Sequence, residues 1–204
     1  TAGGLERSYL LYVPPGATRD APVPLVLVFH GGTGRAAQMA RMTRFTALAR
    51  VERFAVAYPE GIGENWNDGR IVPSSEAHDH IGFSRTTLDI VTALHPIDAK
   101  RIFATGISNG AFFSHYLAAH LSERIAAIAP VVGGIADPFH ETMSPANPVS
   151  VFVLQGTADP LVPYQGGEVA RGRGRTISTD EAIRLWTTFN DTGPTPVSGV
   201  LPDK

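Results

Sequence analysis

Short apolar runs alternate along this chain with longer segments that have helical periodicity. Apolar runs rich in valine and leucine and bounded by glycine or proline are typical of strands buried on both faces of a sheet. Strands are predicted within residues 7–14, 24–32, 53–61, 101–108, 125–134 and 149–159, and helices within 36–52, 81–94, 109–123 and 179–191. This order predicts an α/β fold, with a mostly parallel central sheet and helices on both faces.

Two polar stretches interrupt the pattern. Residues 63–80 are polar and rich in turn-forming residues, which predicts a long surface loop. Thr179 is the expected N-cap of the last helix, and the residues after 191 have no further strand pattern. A sheet that ends in this way leaves an edge unpaired and part of the last helix uncovered.

Composition narrows the possible chemistry. The 204 residues are enough for one domain, which we assign to 1–204. The absence of cysteine excludes disulfides, thiolate metal sites and cysteine nucleophiles. A net charge of -2 gives no reason to expect nucleic acid or an anionic membrane as a partner, and no apolar run is long enough to cross a bilayer.

The segment GISNG, residues 106–110, predicts a catalytic serine. It fits the G-x-S-x-G nucleophile elbow, and it lies between a predicted strand and a predicted helix, as that motif requires. The serine, Ser108, must project from a tight turn that larger residues at the two glycine positions would crowd. The N–H of Asn109, at the start of the helix, is then a donor for a developing oxyanion.

The segment HGGTG, residues 30–34, predicts a second oxyanion donor, because glycines let a backbone N–H approach the substrate. Thr33 is the preferred donor and Gly32 the alternative. His30 is interpreted as a structural, hydrogen-bonded histidine.

Asp159 follows an apolar run and precedes a proline-bounded turn. It comes after the serine, where the acid of a Ser…Asp/Glu…His order belongs, and would orient the histidine. The competing acids are Asp137, Asp180 and Asp191, with Asp137 the strongest. The alternative for Asp159 is a turn aspartate that binds its own backbone.

The chain resembles a family of secreted esterases over residues 7–186, in the segments VFHGGTG, YPEG, NWNDGR, GISNGAFFSHYLAAHLSERIAAIAPVVGG and LQGTADPLVPY. This family includes polyhydroxybutyrate depolymerases, feruloyl esterases and acetyl xylan esterases, and it has the α/β-hydrolase fold. The resemblance implies Ser108 as nucleophile, Asp159 as triad acid, backbone donors near Thr33 and Asn109, and a location outside the cell. It also implies that Trp66 borders the substrate cleft, where an exposed ring would stack on a phenolic acyl group or a sugar. The alternative is that Trp66 packs beneath its own loop.

The catalytic histidine is missing from the expected place. The family carries it after one further strand beyond the acid, whereas the last of the seven histidines here is His140. We therefore expect the triad histidine to lie C-terminal to Lys204, on a strand-bearing segment that would have been removed, left out or supplied as a separate polypeptide. His140 is the alternative base. A metal on His78 and His80 is disfavoured because no third ligand is evident.

These features together predict a serine carboxylesterase that needs no cofactor and acts through an acyl-enzyme on Ser108. The resemblance implies feruloyl or acetyl esters of plant polysaccharides, or short hydroxyalkanoate esters, as substrates. One rival is a non-catalytic binding domain that has lost its base. Another is a peptidase of the same fold. The basic segment 170–175 is interpreted as a solvated loop.

Overall fold

Six strands form the central sheet in the computed structural model, which describes residues 4–71, 78–193, 195–197 and 199–200. The strands are β1 (Tyr9–Tyr12), β2 (Val23–Phe29), β3 (Ala55–Pro59), β4 (Ile97–Ile107), β5 (Ala127–Val131) and β6 (Ser150–Val151). Their order across the sheet is β1-β3-β2-β4-β5-β6. β1 pairs antiparallel with β3 and the other pairings are parallel, so the predicted mostly parallel sheet is confirmed.

Helices follow the strands largely as predicted. They are α1 (Ala36–Thr43), α2 (Phe45–Glu52), α3 (His80–Leu94), α4 (Asn109–His120), α5 (Asp137–His140) and α6 (Thr179–Phe189). A small hairpin that was not predicted, β7 (Gly167–Glu168) with β8 (Arg175–Thr176), precedes α6. Its connection, residues 169–174, contains most of the basic segment 170–175. No helix in the described part of the chain combines the length and the apolar character that a bilayer span requires.

Two helix boundaries differ from the prediction. The periodic segment 36–52 forms two helices, because Arg44 adopts a left-handed conformation with φ 55° between them. The last helix is capped by Ser178, not Thr179, since the Ser178 side chain accepts a hydrogen bond from the Glu181 N–H. Of the predicted loop, residues 72–77 lie outside the described residues; the flanking residues 63–71 and 78–79 form no helix or strand.

Helices cover both faces of the sheet. Leu27 and Phe29 of β2 belong to a large core that includes Leu117 of α4. Val28, which points to the opposite face as alternation along a strand requires, packs in a second core with Met39 of α1. The helices on both faces agree with the prediction.

β6 forms one edge of the sheet among the described residues. Beyond it the backbone continues to pair with β5, because the Phe152 N–H donates to the Ile128 carbonyl at 3.0 Å. The Phe152 side chain is 67% exposed, and a groove of about 430 Å³ lies between this segment and Ile183 and Trp186 of α6. Ile183 of α6 is 43% exposed, so in the described chain the sheet edge is unpaired and the helix beside it is partly uncovered, as the sequence pattern predicts.

A buried hydrogen bond joins α6 to α4. The Trp186 indole N–H donates to Nδ1 of His115 at 3.0 Å, and both side chains are almost fully buried. An imidazole that accepts at Nδ1 must be neutral with its proton on Nε2. Burial lowers the pKa of His115 to about 3, and it lowers the pKa of His80 on α3 to about 3 as well.

We expect the protein to lose stability as the pH falls below about 6.5. His115 is then neutral in the folded state but charged in the unfolded state, which binds more protons. The free energy of unfolding should therefore fall by up to about 1.4 kcal/mol per pH unit for each such histidine, and it should level off above the unfolded pKa. Urea unfolding at about pH 7, 6 and 5 measures this slope. As a control, His115→Gln keeps an acceptor for Trp186 but cannot titrate, so it should reduce the slope and leave the contribution of His80. Equal slopes in both proteins would contradict the assignment.

Candidate active site

Ser108 occupies a sharp turn between β4 and α4. Its φ of 53° and ψ of −118° lie outside the regions that non-glycine residues normally adopt. The Ser108 N–H donates to the Val131 carbonyl at 3.0 Å, and its carbonyl accepts from the N–H groups of Ala111 and Phe112 at 2.9 and 3.0 Å. A strained backbone of this kind persists only where its surroundings enforce it, and it is concentrated at functional sites. The predicted strand-to-helix turn is therefore confirmed.

The two glycines of the elbow are required by close backbone contacts. A Cβ atom on Gly110 would lie 2.5 Å from the carbonyl oxygens of Phe29 and His30, and one on Gly106 would lie 2.4 Å from the Gly110 carbonyl oxygen. The helix start thus presses directly on the end of β2. This contact brings the His30 loop next to Ser108.

His30 is a structural residue, as predicted. Its Nδ1 lies 2.8 Å from the Gly31 carbonyl, and its Nε2 accepts from the Gly61 N–H at 3.0 Å. Burial lowers the pKa of His30, so the ring is neutral and donates through Nδ1. With both ring nitrogens occupied, His30 cannot take a proton from Ser108.

The prediction of Thr33 as an oxyanion donor is wrong. Its N–H already donates to the Glu64 carbonyl at 2.9 Å, so Thr33 has no free N–H for an oxyanion. The alternative, Gly32, has no acceptor for its N–H among the described residues. Asn109 is the first residue of α4, a position whose N–H has no acceptor within the helix. Gly32 and Asn109 are therefore the pair that remains as predicted oxyanion donors.

The prediction of an exposed ring at Trp66 is also corrected. The side chain is 0% exposed, its ring stacks on Phe113 with centroids 5.0 Å apart, and its indole N–H donates to the His30 carbonyl at 2.9 Å. A ring held in this way packs beneath its own loop, which is the alternative stated above. Trp66 supports the floor of the His30 loop and cannot stack on a substrate.

A pocket of about 370 Å³ opens beside Ser108. Residues 30–35 line it together with Met39, Met42 and Ile107, so its apolar surface comes mainly from α1 and the end of β4. The methionines were not singled out from the sequence. Their three-residue spacing directly after a glycine-rich loop was the signal that could have revealed them.

Asp159 lies in a tight turn after β6. Its Oδ1 accepts from the N–H groups of Leu161 and Val162 at 2.8 and 2.9 Å. Val162 packs in a small buried cluster with Phe112, which lies one helical turn after Ser108. This packing holds the turn against α4. The two hydrogen bonds of Asp159 are those that any aspartate in such a turn would make. The role of Asp159 as triad acid stays a prediction.

Two of the three competing carboxylates, those of Asp137 and Asp180, have other partners. Asp137 Oδ2 accepts from the Arg175 side chain at 3.0 Å, and Asp180 accepts from the Tyr164 hydroxyl at 2.7 Å. Asp137, the predicted runner-up, is therefore engaged in a surface ion pair.

All seven histidines lie in the described part of the chain, and only His30 lines the pocket with Ser108. His140 contacts the carbonyl of Asp137 through Nδ1 and lines a different surface depression, beside β8. No group of three His, Cys, Asp or Glu side chains that could hold a metal occurs among the described residues. Among the described residues, the pocket therefore combines a strained turn at Ser108 with free backbone N–H groups, and its histidine, His30, has no free ring nitrogen.

The predicted position of the missing base begins beyond Lys204. Lys204 itself, together with residues 201–203, lies outside the described residues. The location of the triad histidine C-terminal to Lys204 therefore stays a prediction. It is compatible with the described residues of the Ser108 pocket, where His30 has both ring nitrogens occupied, and with His140, which lines a different depression.

Sequence comparison finds relatives of this chain among known proteins. The sequence model of a family described as esterase PHB depolymerase matches residues 7–162. NocK from Nocardia uniformis subsp. tsuyamanensis is 34% identical over 170 residues, which are 80% of this chain and 48% of NocK. Feruloyl esterase B from Piromyces equi is 29% identical over 193 residues, which are 90% of this chain and 35% of that protein. The chain thus spans half the length or less of these relatives.

A solved structure, described as that of a thermostable esterase, superimposes with a TM-score of 0.63 at 21% identity. The match covers 92% of this chain and 48% of the other. At this identity the likeness concerns the fold alone, and it confirms the α/β-hydrolase architecture.

Proposed function

We propose, from the premise that this chain belongs to the esterase family of polyhydroxybutyrate depolymerases, that it carries the nucleophile of a serine carboxylesterase. The observation that carries the proposal is the strained turn at Ser108, which opens on a pocket of about 370 Å³. A hydroxyl raised above a sheet at the start of a helix, with free backbone N–H groups beside it, is suited to acyl transfer.

In this proposal the Ser108 hydroxyl attacks the ester carbonyl. The N–H groups of Asn109 and Gly32 stabilise the negative oxygen that forms, the alcohol leaves, and an acyl-enzyme remains on Ser108. Water then attacks the acyl group and releases the acid. A histidine base removes the proton from Ser108 and returns it to the leaving alcohol, while Asp159 orients that histidine. No step requires a cofactor.

We place the base on polypeptide C-terminal to Lys204, either continuous with this chain or supplied separately. The proposal is supported by the histidines themselves, because His30 has both ring nitrogens occupied and His140 lies at a different depression. An additional strand that paired with the open sheet edge at β6 would bring such a histidine to the carboxyl ends of the parallel strands. The longer relatives leave ample chain for such a segment.

The pocket supports esters with a compact apolar group. Met39, Met42 and Ile107 give it an apolar lining next to Ser108, and its volume is at the lower end for small-molecule sites. We therefore propose feruloyl or acetyl esters of polysaccharide, or short hydroxyalkanoate esters, as substrates, in agreement with the names of the family and of feruloyl esterase B. The location outside the cell stays a prediction from the resemblance.

A fluorophosphonate probe tests the nucleophile and the base together. The native preparation is analysed by intact mass before and after labelling, and its turnover of p-nitrophenyl acetate is measured. We expect one adduct, on Ser108, and a second or longer polypeptide that brings a histidine. Labelling of residues 1–204 alone would overturn the external base but keep the serine mechanism. Failure to label and to turn over the ester would overturn the enzyme proposal in favour of a binding domain, which the lack of a placed base would then explain.

A further inference from the structure

A buried set of hydrogen bonds joins residues 66–70 to the residue after Ser108. The side-chain carbonyl of Asn109 accepts from the Trp66 N–H at 2.8 Å. Its amide donates to the Trp66 carbonyl at 3.0 Å and to Oδ2 of Asp68 at 2.6 Å. Both amide hydrogens and the carbonyl oxygen are engaged, so the orientation of this side chain is fully determined.

Asp68 is in turn held by Arg70. The Arg70 side chain donates through Nε and Nη2 to Oδ2 of Asp68 at 3.0 and 2.6 Å, and the two side chains are only 6% and 1% exposed. The guanidinium also lies 3.9 Å above the Phe112 ring and donates to the Arg173 carbonyl at 3.0 Å. The pair is therefore fixed on several sides, including by the first turn of α4.

Stability alone is a weak reason for this arrangement. Burial removes the hydration of both charges. Well-packed apolar residues of similar volume often give the folded state equal or greater stability than a buried ion pair. Geometry is a stronger reason, because a backbone N–H stabilises an oxyanion only if it already points at the place where the charge develops. A lone Asp68 carboxylate near that place would repel the oxyanion, and the Arg70 guanidinium neutralises it.

We infer that Asp68, paired with Arg70, is a positioning residue that orients Asn109 and so aligns the oxyanion donor with Ser108. This inference rests on the proposed esterase function. Asp68 acts through Asn109 and does not touch the substrate. Its removal should therefore lower the rate of the chemical step and leave substrate binding nearly unchanged.

The test compares two variants with a matched control in the preparation that hydrolyses p-nitrophenyl acetate. Asp68→Asn removes the charge, and the double variant Asp68→Leu with Arg70→Met removes both charges while keeping the core filled. Tyr58→Phe is the control, because it deletes the hydrogen bond between the buried Tyr58 and Thr46 of α2 without contacting the elbow. For each protein we measure Tm, kcat, KM and the Ki of a trifluoromethyl ketone, which forms an oxyanion on the serine.

We expect kcat to fall about 100-fold in both Asp68 variants, with KM within about twofold and the Ki raised by a factor similar to that of kcat. The control should keep its kcat even where its Tm falls as far. A normal kcat in the double variant would overturn the inference. So would a control whose kcat falls as much as that of the Asp68 variants for the same fall in Tm.

An amide NMR measurement keeps this result separate from the proposed function. Relaxation dispersion at the Ser108 and Asn109 N–H groups should appear in the Asp68 variants and be absent from the control and the unmodified protein. If the unmodified protein shows no turnover, the esterase proposal fails, while rigid Ser108 and Asn109 amides in the variants would overturn the positioning role by themselves.

Discussion

Replacing Ser108 by alanine is expected to lower the turnover of p-nitrophenyl acetate by about 10⁵-fold, or about 7 kcal/mol of transition-state stabilisation. The reason is that alanine removes the attacking oxygen, while the donors of Gly32 and Asn109 and the apolar pocket remain. The same variant should bind no fluorophosphonate. The measurement is kcat under saturating ester, with the intact mass after labelling.

Ser114→Ala is the matched control for this prediction. Ser114 lies on the same helix, and its hydroxyl donates to the Gly110 carbonyl at 2.8 Å without lining the pocket. Its loss should cost about 1 kcal/mol of stability and leave kcat within about twofold. A Ser108→Ala protein that retained more than about a hundredth of the turnover would contradict the nucleophile assignment, because the residual rate from donors and binding alone is far smaller.

The elbow was predictable because its requirements are local. The glycines at 106 and 110 are needed by contacts within the turn and with the end of β2, and the apolar runs on either side identify the strand and the helix. Sequence spacing alone carries this information, since the chain cannot form the turn with larger side chains at these positions. The same holds for much of the sheet, because β1, β2, β3 and β5 lie within short apolar runs.

The surroundings of Ser108 were predicted less well because they depend on contacts between distant residues. The N–H of Thr33 is taken by Glu64, and the indole of Trp66 is buried against the His30 carbonyl. Neither partner could be inferred from spacing. The segment that was predicted to be a polar surface loop thus packs against the His30 loop beside Ser108 and supports it.

The charges of that loop show why composition misled the prediction. Asp68 and Arg70 suggest a solvated turn, since charged residues are almost never fully buried without a partner. Here each is the partner of the other, and Asn109 satisfies the remaining carboxylate capacity. The sequence does not reveal these hydrogen bonds, because only the fold brings Asn109 next to Asp68 and Arg70.

Asp159→Asn distinguishes the two roles left open for this residue. Asparagine keeps the side-chain oxygen that accepts from Leu161 and Val162, so the turn and the unfolding temperature should be preserved. If Asp159 is the triad acid, the loss of its charge leaves the histidine in the wrong tautomer, and kcat should fall by about 10⁴-fold, or about 5.5 kcal/mol. The matched control is Asp137→Asn, which loses an ion pair with Arg175 and should leave kcat within about twofold. Because both substitutions keep a side-chain oxygen in place, a loss confined to Asp159→Asn reports charge and not shape. A normal kcat in Asp159→Asn would assign the residue to the turn alone, and a loss in Asp137→Asn would transfer the acid to α5.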